Sequence, residues 1–324
     1  MPEGSLSIGI DIGGTKVAGG VVDESGQVLR RTRRDTPDRS KSPRVVEDTI
    51  VSVIEELLQD GGDIGSVGIG AAGFVAADHA TIVFSPHLSW RNEPLRDALG
   101  LRVELPVFID NDAHAAVWAE YRFGAGRGES HLMLVNLGTG IGGGIVIDGT
   151  VIRGRFGISG EFGHMRVVPD GARCECGNRG CWEQYASGNA LVREARTLMM
   201  NGSPVVSDLF DRVGGHPEDL TGPLITQAAR EGDPLAVELI GEIGRWLGVG
   251  MADLAAAFDP GMFVVGGGVS AAGDLLLDPA RDAFRRQLTG RGYRPEARIV
   301  VAELGNEAGL VGAADLARSF AAGG

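Results

Sequence analysis

Hydrophobic positions fall into short continuous runs separated by glycine-rich turns. Leu6 to Asp11 is one such run and predicts a buried strand. Gly13-Gly14-Thr15 turns it, Val17 to Val22 predicts a second strand, and Asp23-Glu24-Ser25-Gly26 turns again into a third near Val28. The plan returns later in the chain. Leu132 to Leu137 predicts a strand, Gly138-Thr139-Gly140 turns it, Gly144 to Ile147 runs back, and Asp148-Gly149 leads into Val151-Ile152. Strand, Gly-Thr turn, strand, turn, strand thus occurs twice. It predicts two related α/β lobes with a cleft between them, against the plainer alternative of a chance likeness between glycine-rich hairpins.

Helical periodicity fills the intervals. Ser42-Pro43 supplies a cap and a first-turn proline for a helix whose Val46, Ile50, Val53, Ile54 and Leu57 share a face. Ala113 to Arg122 predicts a helix after a strand over Val107 to Asp110. Pro234 to Phe258 predicts a long helix. Its glycines at positions 241, 244, 248 and 250 suit close packing, at a propensity cost of about 1 kcal/mol each. Met262 to Val265 predicts a buried strand ending in Gly266-Gly267-Gly268, and Glu307 to Arg318 a final helix. The basic segment Arg30 to Lys41 and the terminal Ala-Ala-Gly-Gly are expected to be loose.

Composition then narrows the classes of function. A chain of 324 residues with 43% hydrophobic and 23% charged positions can build a large core. Its 52 glycines are about twice the usual share of roughly 7%, so many turns bring backbone close to something. The net charge of −13 argues against a nucleic-acid partner, which calls for a basic field. MPEGSLSIGI has neither the basic stretch nor the apolar core of a signal peptide, and no apolar run reaches the length of a membrane span. The expected setting is a reducing cytoplasm, with no membrane partner.

That setting matters for the thiols. All three cysteines lie in one stretch, GRFGISGEFGHMRVVPDGARCECGNRGCWE, as Cys174, Cys176 and Cys181, with His164 ten positions upstream of the first. Three thiolates and one imidazole complete a closed, tetrahedral zinc shell of the structural kind. Two alternatives stay open: a Cys174–Cys181 disulfide that leaves Cys176 free, and zinc on the three cysteines with a fourth ligand other than His164. Glu161 and Glu183 flank the cluster, so the stretch also presents carboxylates in the manner of a binding site.

The glycine turns carry the second piece of chemistry. Gly13-Gly14-Thr15, Gly138-Thr139-Gly140 and Gly266-Gly267-Gly268 each follow the carboxyl end of an apolar strand, where ligands of α/β sheets sit. Glycine lets backbone N–H groups approach an anion, and threonine adds a hydroxyl. Together they predict a bound nucleotide, although each turn alone could be only a turn. Gly138-x-Gly140-x-x-Gly143 imitates a dinucleotide fingerprint, but a strand follows it where a helix is required. No P-loop and no protein-kinase signature is present.

Two aspartates complete the set. Asp11 precedes the first turn and could hold magnesium beside a triphosphate, or simply initiate the turn. Asp112 follows a strand and opens a helix. It could cap that helix, or act as a general base on a substrate hydroxyl attacking phosphorus, with Asn111 holding a neighbouring hydroxyl. Asp110 is expected to have a local turn role.

These residues together resemble the ROK family of bacterial sugar kinases and sugar-responsive repressors, within the actin/hexokinase superfamily. The resemblance spans nearly the whole chain. Its anchors are Asp11-Ile-Gly-Gly-Thr15, Asn111-Asp112-Ala113, Leu137-Gly-Thr-Gly140, Gly157-x-x-Gly160-Glu161-x-Gly163-His164 and Cys174-x-Cys176-Gly-x-x-Gly-Cys181-x-Glu183. It is nearest to the ROK glucokinases of actinobacteria, which have stretches similar to CWEQYASG.

The resemblance implies a two-lobed, actin-like (ribonuclease H-like) α/β fold with a central cleft and a zinc-braced loop. Residues 1–119 with 307–324 would form the small lobe, and 120–306 the large lobe with its zinc loop at 164–181. It implies an ATP-dependent hexokinase acting on the C6 hydroxyl of glucose, with Asp112 as base. Asn111, Glu161, His164 and Glu183 would bind sugar hydroxyls, with Gly73 and Asn92 nearby. Asp11, Gly13, Gly14 and Thr15 would face phosphate and magnesium. Gly138, Thr139, Gly140, Gly266, Gly267 and Gly268 would line the nucleotide, and His164, Cys174, Cys176 and Cys181 would hold zinc. Homodimers or homotetramers are expected.

Rival readings are a kinase for N-acetylmannosamine, N-acetylglucosamine, mannose or fructose, and a non-catalytic sugar sensor. Polyphosphate is an alternative donor. Repressors of the family carry a helix-turn-helix domain ahead of this body, and only five residues precede the first predicted strand here.

Overall fold

The computed structural model describes residues 6–59, 61–202 and 207–323. The chain divides into two compact units. The first comprises residues 1–130, 144–160 and 303–324, and the second residues 131–143 and 161–302.

Two five-stranded sheets repeat one topology. The first contains β1 (Leu6–Ile12), β2 (Lys16–Val22), β3 (Val28–Asp35), β4 (Ile64–Ala71) and β8 (Val107–Asn111), in the order β3-β2-β1-β4-β8. The second contains β9 (His131–Leu137), β10 (Ile141–Ile147), β11 (Thr150–Val151), β12 (Met262–Gly266) and β13 (Arg298–Val301), in the order β11-β10-β9-β12-β13. In each, the first three strands form a meander and the last two return parallel to the first. The duplicated plan read from the turns is therefore a duplicated sheet. A small sheet of β5 (Phe74–Val75), β6 (Ile82–Phe84) and β7 (Arg91–Glu93) belongs to the first unit.

Among the described residues there are ten α-helices: α1 (Pro43–Gln59), α2 (Leu95–Gly100), α3 (Asp112–Phe123), α4 (Glu183–Ala186), α5 (Gly188–Met200), α6 (Ser207–Arg212), α7 (Gly222–Arg230), α8 (Pro234–Phe258), α9 (Asp274–Gln287) and α10 (Ala308–Gly323). The apolar stripe expected on α1 is its buried face: Val46, Ile50, Val53, Ile54 and Leu57 all enter the core, joined by Val51. α8 runs over the span its periodicity predicts, and Asp233 caps it by accepting from the Ala236 amide at 2.8 Å.

Glycine inside the strands has a packing role. Gly20, Gly9 and Gly68 are in register across β2, β1 and β4. A Cβ on Gly9 would lie 2.0 Å from the Leu310 carbonyl oxygen, and one on Gly68 1.8 Å from that of Ala313. The bare row is the seat of α10, whose backbone rests directly on the sheet. In the second unit, Gly244 and Gly248 let α8 meet the backbone of α9, where a Cβ would come within 2.3 Å of Leu276 O and 2.2 Å of Ala280 O. Gly250 makes room for the Trp182 ring at 2.1 Å, whereas Gly241 makes only an ordinary contact at 3.8 Å.

Two expectations are corrected. Arg30 to Asp35 is not loose: it forms most of edge strand β3, hydrogen-bonded to β2. Two adjacent pairs, Arg30-Arg31 and Arg33-Arg34, give it little buried apolar surface, and cationic side chains are common on an edge that must not recruit another strand. Ala321 to Gly323 is also ordered, as the last turn of α10; Gly324 lies outside the described residues.

Candidate active site and metal centre

The first unit gathers an acidic pair. Asp11 is the penultimate residue of β1 and pairs in register with Gly70 of β4. Its carboxylate lies against Gly309 at the start of α10, where a Cβ would sit 3.0 Å from Oδ1. The turn beyond it is fixed by its own backbone, with Gly13 N–H donating to Lys16 O at 3.0 Å. From the β3 end, the Thr36 hydroxyl donates to Gly13 O at 2.7 Å. Gly14 and Thr15 stay exposed.

Asp112 is the first residue of α3. The capping task falls to Asn111 instead. Its Oδ1 accepts from the Ala113 and His114 amides at 2.9 and 3.1 Å, and its Nδ2 donates to Gly73 O at 3.0 Å. Gly73 has φ +129°, and a Cβ there would lie 2.4 Å from Phe84 O, so glycine is required at that approach. With the cap supplied by its neighbour, Asp112 does not serve as the cap, and its carboxylate accepts from the Ala113 amide at 2.9 Å.

The pair is electrostatically uncomfortable. Burial, then the neighbouring Asp112 carboxylate, pushes Asp11 up to about 6, with Lys16 opposing. Burial likewise raises Asp112, against the hydrogen bond from Ala113. Two crowded carboxylates of raised pKa form a donor set suited to a hard divalent cation, which would relieve both.

Asp110 has no turn role. It is 2% exposed and sits in a buried ionic cluster. Arg153 grips its Oδ2 through Nε at 2.7 Å and NH2 at 2.6 Å, and His114 Nδ1 lies 3.1 Å from its Oδ1. Burial alone would raise Asp110, but His114 and Arg153 outweigh it and hold the carboxyl below its ordinary range. The spacing Asp110-x-x-x-His114 was the available signal, but Arg153 is too distant in sequence to be paired with it by inspection.

The second unit gathers the thiol stretch. Phe162–His164 forms one 3₁₀ turn after Glu161. One ligand atom from each of His164, Cys174, Cys176 and Cys181 lies within 4.8 Å of all the others. Cys176 and Cys181 sulfurs are 3.6 Å apart, and Cys174 Sγ is 3.7 Å from His164 Nδ1. Tetrahedral zinc with Zn–S near 2.3 Å requires ligand separations of about this size. All three cysteines are free thiols, so the disulfide alternative is not adopted. Burial raises the Cys174 and Cys181 thiols, and a central cation is what would hold such thiolates together.

The cluster of His164 with the three cysteines also organises what surrounds it. His164 turns Nδ1 toward the thiols and Nε2 toward Glu161, at 3.9 Å. Glu183 Oε1 accepts from Cys174 Sγ at 3.1 Å. Its Oε2 lies so near Gly140 that a Cβ there would approach to 2.5 Å. The Gly138-Thr139-Gly140 turn is tied to the start of α5, with the Gly188 and Asn189 amides donating to Gly138 O and Thr139 O at 2.9 and 3.3 Å. Gly267, φ +83°, packs on Leu137 O, where a Cβ would come within 2.3 Å. Thus Glu161, His164 and Glu183 come together with the cysteines, and the 138–140 turn comes together with the 266–268 loop. Trp182 docks the whole stretch onto α8, donating from Nε1 to Trp246 O at 2.8 Å.

A fold of two repeated sheets with glycine turns, an acidic pair and a Cys₃His centre defines a recognisable class. The chain belongs to the ROK family, whose model matches residues 7–319. It is 50% identical to the glucokinase of Streptomyces coelicolor, over 97% of this chain and 98% of that protein. It is 37% identical to the glucokinase of Thermotoga maritima, over 98% of each. Among solved structures, a ROK glucokinase from Streptomyces griseus in complex with glucose and AMPPNP superposes with a TM-score of 0.88 and 51% identity, covering 97% of this chain and all of that one. The fold is accordingly the actin-like ATPase fold of ROK sugar kinases.

Proposed function

We infer that this protein is an ATP-dependent glucokinase, transferring the γ-phosphate of ATP to the C6 hydroxyl of glucose. The observation that carries the inference is near-full-length identity of 50% to a glucokinase, supported by the likeness to a glucose and AMPPNP complex.

Asp112 is the general base: freed from capping by Asn111, it takes the proton from the hydroxyl as its oxygen attacks phosphorus. Its raised pKa leaves it a better proton acceptor than an ordinary aspartate. Asn111, Glu161, His164 and Glu183 bind sugar hydroxyls, with His164 Nε2 directed away from the thiols. Asp11, Gly13, Gly14 and Thr15 face phosphate, and Asp11 holds magnesium, which supplies charge neutralisation when bound. Gly138, Thr139, Gly140 and Gly266 to Gly268 line the nucleotide. His164, Cys174, Cys176 and Cys181 hold zinc, whose contribution is to fix the imidazole and its loop.

No helix among the described residues is long and apolar enough to cross a membrane. We place the enzyme in the cytoplasm, where its thiols stay reduced, as a homodimer or homotetramer; light scattering after size exclusion checks the assembly. Sugar-dependent ADP release tests the activity, with glucose, mannose, fructose and the N-acetylated hexosamines offered with ATP and with polyphosphate. Glucose with ATP is expected to give the highest kcat/KM. Absence of turnover with every sugar would leave only a sensor.

A further inference from the structure

We propose that Asp110, His114 and Arg153 are positioning residues for sugar binding: a buried brace that fixes Ser159, and through it the chain entering Glu161. The proposal rests on the sugar-binding role given to Glu161 above.

Ser159 is pinned at each of its polar atoms. Its amide donates to Arg153 O at 3.1 Å, its hydroxyl donates to Ile152 O, and its carbonyl lies 2.8 Å from His114 Nε2. The loop from Arg153 to Ser159 is thus closed on itself and tied to α3. The tie is rigid because His114 is 1% exposed and its other nitrogen faces Asp110, 2% exposed, which Arg153 grips with two nitrogens. Asp110, His114 and Arg153 therefore form a circuit that closes through the backbone of Ser159, whose carbonyl meets His114 and whose amide meets Arg153 O. Gly157 adds a steric lock: with φ +86°, a Cβ would lie 2.4 Å from Val75 O.

A surface turn does not need a buried ion cluster to hold it. Such a cluster carries a desolvation cost that hydrophobic packing would avoid. What the circuit adds is precision two residues before Glu161, and a misplacement of 1 Å in a binding group can cost about a hundredfold.

The test is His114→Phe, which fills the same space and removes both polar contacts, with His114→Gln as the conservative partner retaining one donor. His114→Phe is expected to raise the KM for glucose about ten- to a hundredfold. The KM for ATP should stay within twofold and kcat within about threefold, and His114→Gln should fall between. Hydrogen exchange at the amides of residues 157–161, measured without sugar, should accelerate at least tenfold while the rest of α3 keeps its protection. If His114→Phe does not fold, Arg153→Lys, which keeps the charge but loses the two-nitrogen grip, is read the same way. Equal rises in both KM values, or unchanged exchange at 157–161, would overturn the brace. Fast exchange in the variant of an enzyme that prefers another sugar would preserve the brace and remove the glucose assignment.

Discussion

Two turns occupy the same place in the repeated sheets, and an acid precedes one where an amide precedes the other. In the first sheet Asp11 pairs with Gly70 and leads through Ile12 into Gly13-Gly14-Thr15. In the second Asn136 pairs with Gly266 and leads through Leu137 into Gly138-Thr139-Gly140. The scaffold is shared, down to the glycine across the ladder, but an acid stands in one copy and its amide in the other. The acid has a neighbouring carboxylate and a pKa driven up to about 6. The amide has no such burden, and its Oδ1 lies over Gly266, where a Cβ would come within 3.0 Å. A duplicated fold thus keeps its strained, ionisable group only in the copy assigned to phosphate and magnesium. The connections differ too. Between β3 and β4 runs the single helix α1, while between β11 and β12 the chain inserts the thiol stretch and five helices.

The largest expected effect removes the proposed base of the acidic copy. Asp112→Asn should lower kcat by about 10²- to 10⁴-fold while glucose binding by calorimetry stays within a few-fold; near-normal turnover would take Asp112 out of the mechanism. Cys176→Ser attacks the other copy. Metal analysis should find about one zinc per chain in the parent and a loss of most of it in the variant, with weakened glucose binding. Retention of full sugar affinity without metal would make the cluster a staple only.

Asp11→Asn turns the first turn into the second. Turnover with magnesium and ATP should fall about a hundredfold. Stability should move the other way. Asp11 has a pKa of about 6 when folded against 3.8 ordinarily, so the folded state holds its proton more tightly. Stability is then lost as pH rises from about 4 to about 6 and stays lower above that range. Without ligand, the variant should gain about 1–3 kcal/mol over the parent at pH 7.5 and nothing at pH 3.5, in chemical melts. The smallest effect is expected for Asn136→Asp, which places a lone carboxylate in the second turn. It should cost under about 1 kcal/mol at neutral pH. An equally large change in both variants would dissolve the comparison.

Much of the scaffold was legible because its signals are local. The two strand–turn–strand plans, the face of α1 and the extent of α8 follow from periodicity and caps that a short window contains. β4 was not: Gly65, Gly68 and Gly70 interrupt its apolar run, and Gly68 is there because α10 lies on it. β3 was legible at Val28, but its extent through Asp35 was hidden by its arginines. At the site, the grouping of His164 with the three cysteines was legible by residue type and spacing. The division of labour at the head of α3 was not, since whether Asn111 or Asp112 caps depends on backbone angles. Nor was the role of Asp110, whose partner Arg153 meets it only after the chain has folded back.

The placement of α10 has a consequence for how the protein is made. Leu310 and Ala313 cover the glycine row of β1, β2 and β4, yet they leave the ribosome only after residues 161–302 of the second unit. The first sheet is synthesised early but must wait, with one face bare, while the second unit is translated. A nascent chain stalled before Ala308 should therefore expose that face to chaperones, and should be cut there by proteases that spare the second unit.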